Sequence, residues 1–356
     1  MNYRRIVEVV VTCSFLFTAC PAGAQEIFEF YRGVRQLGMG GAYVAVVNDE
    51  TSLLTNPAGL GKLRDLMFTI VDPELSGSFN DTQIATLSNA SKVMDIQTLL
   101  DTLNQNKGLH WHAKAQLFPS FVGPNFGMGV LGKYSYDAEV NKAGTNYRVD
   151  YTNDVAPVIG YCFRFFDGIV KLGLDARYVM RTEIAKDIPP TSTGLTIGSL
   201  ANTGSGLAAD SGLIITAPIV YLPTLAVTVR DIGDTHYNLR STVGTPRPTL
   251  QSVDAAIAFF PILGNHSRMT ITGEVHGLAT LSKETNVMRR VHAGLEFNIA
   301  DFFFVRGGMN QFYWTAGIEL ASERFQLQVA SYGEDIGTST TPREDRRWVG
   351  KMAIRF

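Results

Sequence analysis

The sequence predicts an all-β chain: a transmembrane antiparallel β-barrel of about 14 strands with an amino-terminal hatch segment inside. Three observations carry that expectation: a Gly- and aromatic-rich composition with few charges, period-two alternation from residue 66 onward, and a regular exchange of long and short connections. The 356 residues include 34 Gly, 21 Phe and 13 Tyr, with 45% hydrophobic and 18% charged side chains. That charged share lies below the ~25% of ordinary soluble domains, which excludes a disordered tail, a collagen or a solvated coiled coil. Lys+Arg 31 against Asp+Glu 33 leaves a net charge of -2. Such a balance lacks the concentrated basic charge that a phosphate backbone requires, so nucleic acid is not an expected partner.

Residues 1–24 read as a secretory signal peptide. Arg4 and Arg5 precede an apolar stretch from Val9 to Cys20, and Ala22-Gly23-Ala24 supplies an A-x-A cleavage site. The apolar stretch is shorter than the ~20 residues of a spanning helix. A lipoprotein alternative reads Phe17-Thr18-Ala19-Cys20 as an acylation site, although Phe stands where Leu is usual. Cys13 and Cys20 leave with the signal peptide, so the remaining Cys162 can build neither a disulfide framework nor a thiolate metal site. No later stretch reaches 18 consecutive apolar residues. An exported chain of this kind enters a membrane only as a closed barrel, and the expected location is the bacterial cell outer membrane, in contact with its lipid.

Residues 66–356 form the expected barrel, with strands near 66–75, 109–122, 126–140, 146–163, 169–182, 207–216, 224–232, 252–261, 267–278, 289–299, 302–308, 312–320, 324–333 and 347–356. The alternation is explicit in 268–277, where Met269, Ile271, Gly273 and Val275 share one face and Thr270, Thr272, Glu274 and His276 the other. The connections after odd-numbered strands are mostly long and those after even-numbered strands short, as in outer-membrane barrels. A secreted β-sandwich also alternates. The even strand count, the loop asymmetry and Phe356 closing the last strand favour the barrel; a terminal aromatic there resembles the feature that the barrel-assembly machinery recognises. Within the first long connection, 81–108, Ile84, Leu87, Met94, Leu99, Leu100 and Leu103 recur at three- to four-residue spacing. This predicts a helical outer loop that caps the pore, covers a ligand entrance or packs on the barrel rim.

Residues 25–65 are the expected hatch. Gly38, Gly40 and Gly41 permit positive φ and close backbone approach, and the run Asn56-Pro57-Ala58-Gly59-Leu60 breaks strand pairing at Pro57. A dinucleotide loop is excluded because position 43 is Tyr where the third glycine would stand, and no βαβ pattern follows. Together with Val229-Arg230-Asp231-Ile232-Gly233 and Gly307-Gly308-Met309-Asn310-Gln311, these motifs resemble the FadL-like outer-membrane superfamily, the long-chain fatty-acid transporter fold, and within it the shorter PorV-like branch. The resemblance covers nearly the whole exported chain. It implies a hatch holding Asn56, Pro57 and Ala58 inside the barrel, and passage or binding of small hydrophobic compounds. The PorV-like branch implies instead an accessory barrel that docks secreted or surface proteins without transporting lipid.

Catalytic chemistry has one candidate cluster. Glu274 and His276 share a face, His292 is expected beside His276 on the next strand, and Ser282 lies in the connection between them. A polar barrel lumen holds such groups without catalysis, so the expectation is a non-enzyme with no cofactor. His110 and His112 also share a face, but two imidazoles alone do not define a metal site, and no metal is expected.

Overall fold

The computed structural model describes residues 29–78, 96–189, 192, 194–240, 243–264, 266–278, 286–338 and 341–356. The expected signal peptide, Ile84, Leu87, Met94 and Ser282 lie outside them. The wall is an antiparallel barrel of 14 strands. In chain order they are β1 (Met67–Val71 continuing as Glu74–Ser78), β2 (His110–Leu117 and Ser120–Gly123), β3 (Phe126–Val140), β4 (Tyr147–Phe165), β5 (Val170–Ile188), β6 (Asn202–Thr216) and β7 (Thr224–Arg230). They continue with β8 (Ser252–Phe259 and Ile262–Gly264), β9 (Ser267–Val275), β10 (Val291–Ile299), β11 (Phe303–Asn310), β12 (Tyr313–Ala321), β13 (Phe325–Asp335) and β14 (Glu344–Arg355). All fourteen fall where the alternation puts them. The ladder of β4–β6 runs further than expected, with Thr182–Lys186 and Asn202–Ser205 still paired.

Three strands are written in two pieces because a proline interrupts them: Pro73 in β1, Pro119 in β2 and Pro261 in β8. Proline has no N–H to give the ladder, yet its carbonyl still accepts. Met352, Val130 and Met269 donate to those three carbonyls at 3.2, 3.0 and 2.9 Å. The wall therefore continues through each break. It closes where β1 pairs with β2 through Phe68 opposite Phe121 and with β14 through Glu74 opposite Lys351. Closure leaves no unpaired edge, which a chain surrounded by lipid requires.

Side-chain alternation separates two environments. Met128, Ile159, Phe163, Leu174, Leu225, Ile271, Ile318 and Met352 stand exposed on the outside, whereas the sequence neighbours Asp175, Thr272 and Lys351 are buried inside. An apolar exterior around a charged interior is the membrane-barrel arrangement. Phe356 sits on the outer side at the end of β14, with its backbone paired to Phe68 at 2.9 and 3.0 Å.

The helix α3 (Ile96–Gln105) accounts for the apolar spacing in the first long connection. Leu99, Leu100 and Leu103 are buried against Trp111, Tyr136, Val140, Tyr147, Val149 and Ile184. Those wall residues alternate with the inward-facing Asp137, Glu139, Arg148 and Asp150, so the helix covers the outside of the wall, at the end where β2–β5 project furthest. It packs on the rim and does not lie across the bore. Two shorter helices precede the wall: α1 (Val34–Gly38) and α2 (Ser52–Thr55), followed by a 3-10 turn at Pro57–Lys62.

Nearly all of residues 30–63 are buried, and they lie among the inward-facing side chains of the wall. Glycines in the wall make room for them. A Cβ on Gly173 would come within 2.1 Å of the Ala58 nitrogen and the Pro57 carbonyl carbon, and one on Gly212 within 1.8 Å of Asn56 Oδ1. Since the opposing atoms at Gly173 are backbone, Gly173→Ala is expected to lower stability by about 1–3 kcal/mol through overpacking. Urea unfolding in detergent micelles, compared with Gly132→Ala at a roomy wall position, measures it; equal midpoints for the two variants would contradict the close seating.

Candidate functional site

The bore holds three groupings of side chains, each formed where an inward wall position meets the amino-terminal segment. The first is a charge lattice. Arg35, on α1, makes a bidentate pair with Glu296 of β10 at 2.9 and 3.0 Å and donates to Asn48 at 2.6 Å. Glu296 also takes Arg306 of β11 at 2.6 Å, and Arg306 continues to Glu319 of β12. On the other side Glu50 accepts from Arg355 at 2.8 and 2.9 Å and pairs with Lys351 at 3.2 Å, while Lys351 reaches Asp72 at 3.1 Å. Burial alone would raise the Glu50 carboxyl, but the Arg355 and Lys351 charges outweigh it and hold its pKa at about 2.

The residues expected in the hatch lie together in this buried segment. Gly40 and Gly41 have φ of +67° and +85°, and a Cβ there would meet the Ala293 carbonyl oxygen at 2.4 Å and His292 Nδ1 at 2.5 Å. Only glycine tolerates that backbone against so close a wall. Gly38 packs face to face with Gly317 of β12. Asn56 caps the turn at Pro57, accepting from the Ala58 nitrogen at 3.1 Å and donating to the Val44 carbonyl at 3.0 Å. Gly59 lies against Ser52 and Val47. Sequence reasoning missed the wall partners Glu296, Arg306, Lys351 and Arg355. Charged side chains at polar-face positions of otherwise apolar alternating strands were the available clue.

The second grouping surrounds a cavity of about 430 Å³ toward the end of the barrel that carries the long connections. Phe30 and Leu37 contribute apolar surface from the amino-terminal segment, and Tyr332 and Ile336 from the β13 side. Around them stand polar pairs. His112 Nδ1 is 2.6 Å from Asp137, His110 Nδ1 is 3.1 Å from Asp345, and Arg347 donates to the same Asp345 at 2.7 Å. Lys133 and Lys114 donate to the Phe30 and Arg32 carbonyls, each at 2.8 Å. The two imidazoles noted in the sequence thus face the bore with carboxylates beside them.

The third grouping unites Glu274, His276 and His292. The imidazole rings stack 4.0 Å apart, His276 Nε2 lies 2.7 Å from Glu274 Oε1, and His276 Nδ1 lies 2.9 Å from Glu29 Oε1. His292 Nδ1 is 2.9 Å from the Gly40 carbonyl oxygen. Within the described residues the cluster contacts the amino-terminal segment, with no Ser hydroxyl in hydrogen-bond contact with either imidazole.

No protein-family model matches the sequence, and no curated protein does so either. Solved structures do match the fold. The CymD monoaromatic hydrocarbon channel superposes with a TM-score of 0.54 at 11% identity, over 91% of this chain and 96% of that one. The toluene transporter TbuX of Ralstonia pickettii gives 0.52 at 11% identity, over 91% and 98%. A FadL homologue of Pseudomonas aeruginosa gives 0.50 at 9% identity, over 93% and 99%.

The fold is FadL-like. A FadL-like barrel of outer-membrane type agrees with the apolar outer belt and closed wall described above. At 9 to 11% identity the likeness is one of fold alone.

The Glu50 pair gives a pH dependence with a definite sign. A carboxyl held at about 2 when folded, against an ordinary 4.5, stabilises the fold fully above pH ~4.5, and that contribution is lost as pH falls through ~2. Unfolding midpoints between pH 6 and pH 2.5 should therefore fall more steeply for the native chain than for Glu50→Gln. Parallel pH profiles for the two would contradict the pairing.

Proposed function

We propose that this chain is an outer-membrane channel of the FadL type that binds and passes small, largely apolar compounds, with residues 25–65 acting as its hatch. The observation that carries the reading is the cavity of about 430 Å³ adjoining the buried amino-terminal segment. Its volume suits a small molecule, and its mixture of apolar surface with a few convergent polar groups is the usual make-up of a ligand site. Phe30 and Leu37 supply the apolar surface, and His112, Asp137 and Arg347 the polar groups. A compound with an apolar body and one polar end fits this lining better than a bare long-chain hydrocarbon. Two structurally similar proteins, a monoaromatic hydrocarbon channel and a toluene transporter, point in the same direction. Because the amino-terminal segment supplies part of the cavity lining, movement of that segment would couple binding to passage.

The test is uptake of a monoaromatic compound such as toluene or p-cresol into proteoliposomes. The native chain should exceed protein-free vesicles, and Ser135→Trp, which places an indole in the cavity from an inward position of β3, should fall to that background while remaining folded. Uptake equal to background for the native chain would overturn the proposal. A stoichiometric exported protein recovered with the barrel, together with absent uptake, would favour the PorV-like accessory role instead.

A further inference from the structure

We infer that Asp254, Glu274 and His276 form a binding site for a divalent transition-metal ion of the zinc kind, which fastens the amino-terminal segment to the wall. The three residues are brought together by sheet register. Ala255 of β8 pairs with Val275 of β9, so Asp254 faces His276 across the ladder, and Glu274 is on the same face two residues before it. All three are buried, at 0%, 3% and 3% exposure. One ligand atom from each lies within 4.8 Å of the others. An ion bound tetrahedrally at about 2.0–2.2 Å holds its ligand atoms about 3.4 Å apart, so only small side-chain movements separate this arrangement from a coordination shell.

What distinguishes the cluster from an ordinary polar patch is which atoms already have partners. Glu274 Oε2 accepts from the Tyr43 and Val44 nitrogens at 2.7 and 2.8 Å, and Asp254 Oδ1 accepts from the Gly277 nitrogen at 2.8 Å and from Ser252 Oγ at 3.1 Å. His276 Nδ1 is held by Glu29 at 2.9 Å. The atoms facing one another, Glu274 Oε1, His276 Nε2 and Asp254 Oδ2, are buried and make no well-directed hydrogen bond. Each prospective ligand thus has its far atom fixed, while the near atoms meet in ion pairs, Glu274 Oε1 with His276 Nε2 at 2.7 Å and Asp254 Oδ2 with Arg230, which a bound ion would replace. The Glu29–His276 contact reproduces the carboxylate–histidine–metal relay that orients imidazole ligands. One imidazole with two carboxylates suits zinc better than calcium or magnesium, which prefer all-oxygen shells.

Arg230 competes for the site, since its guanidinium pairs with Asp254 Oδ2 and lies 3.6 Å from Glu29. On metal binding it would transfer fully to Glu29, exchanging one carboxylate for another. The outer partners Glu29, Tyr43 and Val44 all belong to the amino-terminal segment, so an ion here would bind most tightly when that segment is seated. The inference does not depend on what the channel carries.

The experiment uses the folded full-length barrel without a histidine tag, stripped with chelator and titrated with zinc chloride by calorimetry. X-ray absorption then reads the coordination. The expected result is one ion per chain with mixed imidazole and carboxylate ligation, abolished in His276→Ala and Glu274→Gln. Glu29→Gln should weaken binding by about 10–100-fold, as for lost outer-shell partners elsewhere, and it leaves every wall strand untouched should the other two variants fail to fold. Absence of stoichiometric binding, or affinity in Glu29→Gln equal to that of the native chain, would overturn the assignment.

Discussion

A closed wall in lipid settles its backbone hydrogen bonds by pairing neighbouring strands, but it leaves a second requirement: the charges on its inner face need partners too. Burying an unpaired charge is costly, and removing one partner of a buried pair is more damaging than never having placed either. Here the inner face carries Lys351, Arg306, Glu296, Glu319 and Arg355, and the amino-terminal segment brings Arg35 and Glu50 to them. The segment and the wall therefore complete one another electrostatically. Glycines at Gly173, Gly212, Gly294 and Gly308 then allow the backbone of the segment to approach the wall closely.

This constraint organises the rest of the bore. Arg35, Glu50 and the Asn56 turn fix the segment along much of its length, while its beginning, at Glu29 to Arg32, meets the cavity and the Glu274–His276 cluster. Lys133 and Lys114 hold that beginning by its carbonyls. Such bonds to carbonyl oxygens are made without a charged partner on the segment itself. The region next to the cavity is thus tied by carbonyl bonds as well as by ion pairs, Arg32 with Glu334 at 2.8 Å and Glu29 with His276 at 2.9 Å. The helix Ile96–Gln105 has a separate task, shielding apolar positions of β2–β5 on the outside of the wall.

Much of the wall was legible in the sequence because strand alternation is local: Met269 and Ile271 outside, Thr270 and Thr272 inside, can be read two residues at a time. The glycines of the amino-terminal segment were legible for the same reason, since Gly40 and Gly41 adopt a positive φ that few other residues accept. Their wall partners were not. Glu296 and Arg35 are separated by 261 positions, and no periodicity encodes such a pairing. The Glu274, His276 and His292 cluster lay between these cases. Strand register predicted that it would form, but the contribution of Glu29 and the approach of Asp254 depended on the path of the amino-terminal segment and on β8. For the helix in the first long connection, spacing gave the apolar stripe of Leu99, Leu100 and Leu103 without saying which surface it covers.

The central claim is that the amino-terminal segment lies within the wall, and Cys162 offers a direct probe of it. This buried thiol on β4 is the cysteine of the described residues, and a Cβ on Gly61 would stand 2.8 Å from its sulfur. In Gly61→Cys the two thiols should form a disulfide when the barrel assembles under oxidising conditions, seen as a mass loss of about two hydrogens and no alkylation until reductant is added. Two free, alkylatable thiols in the folded variant would contradict the account.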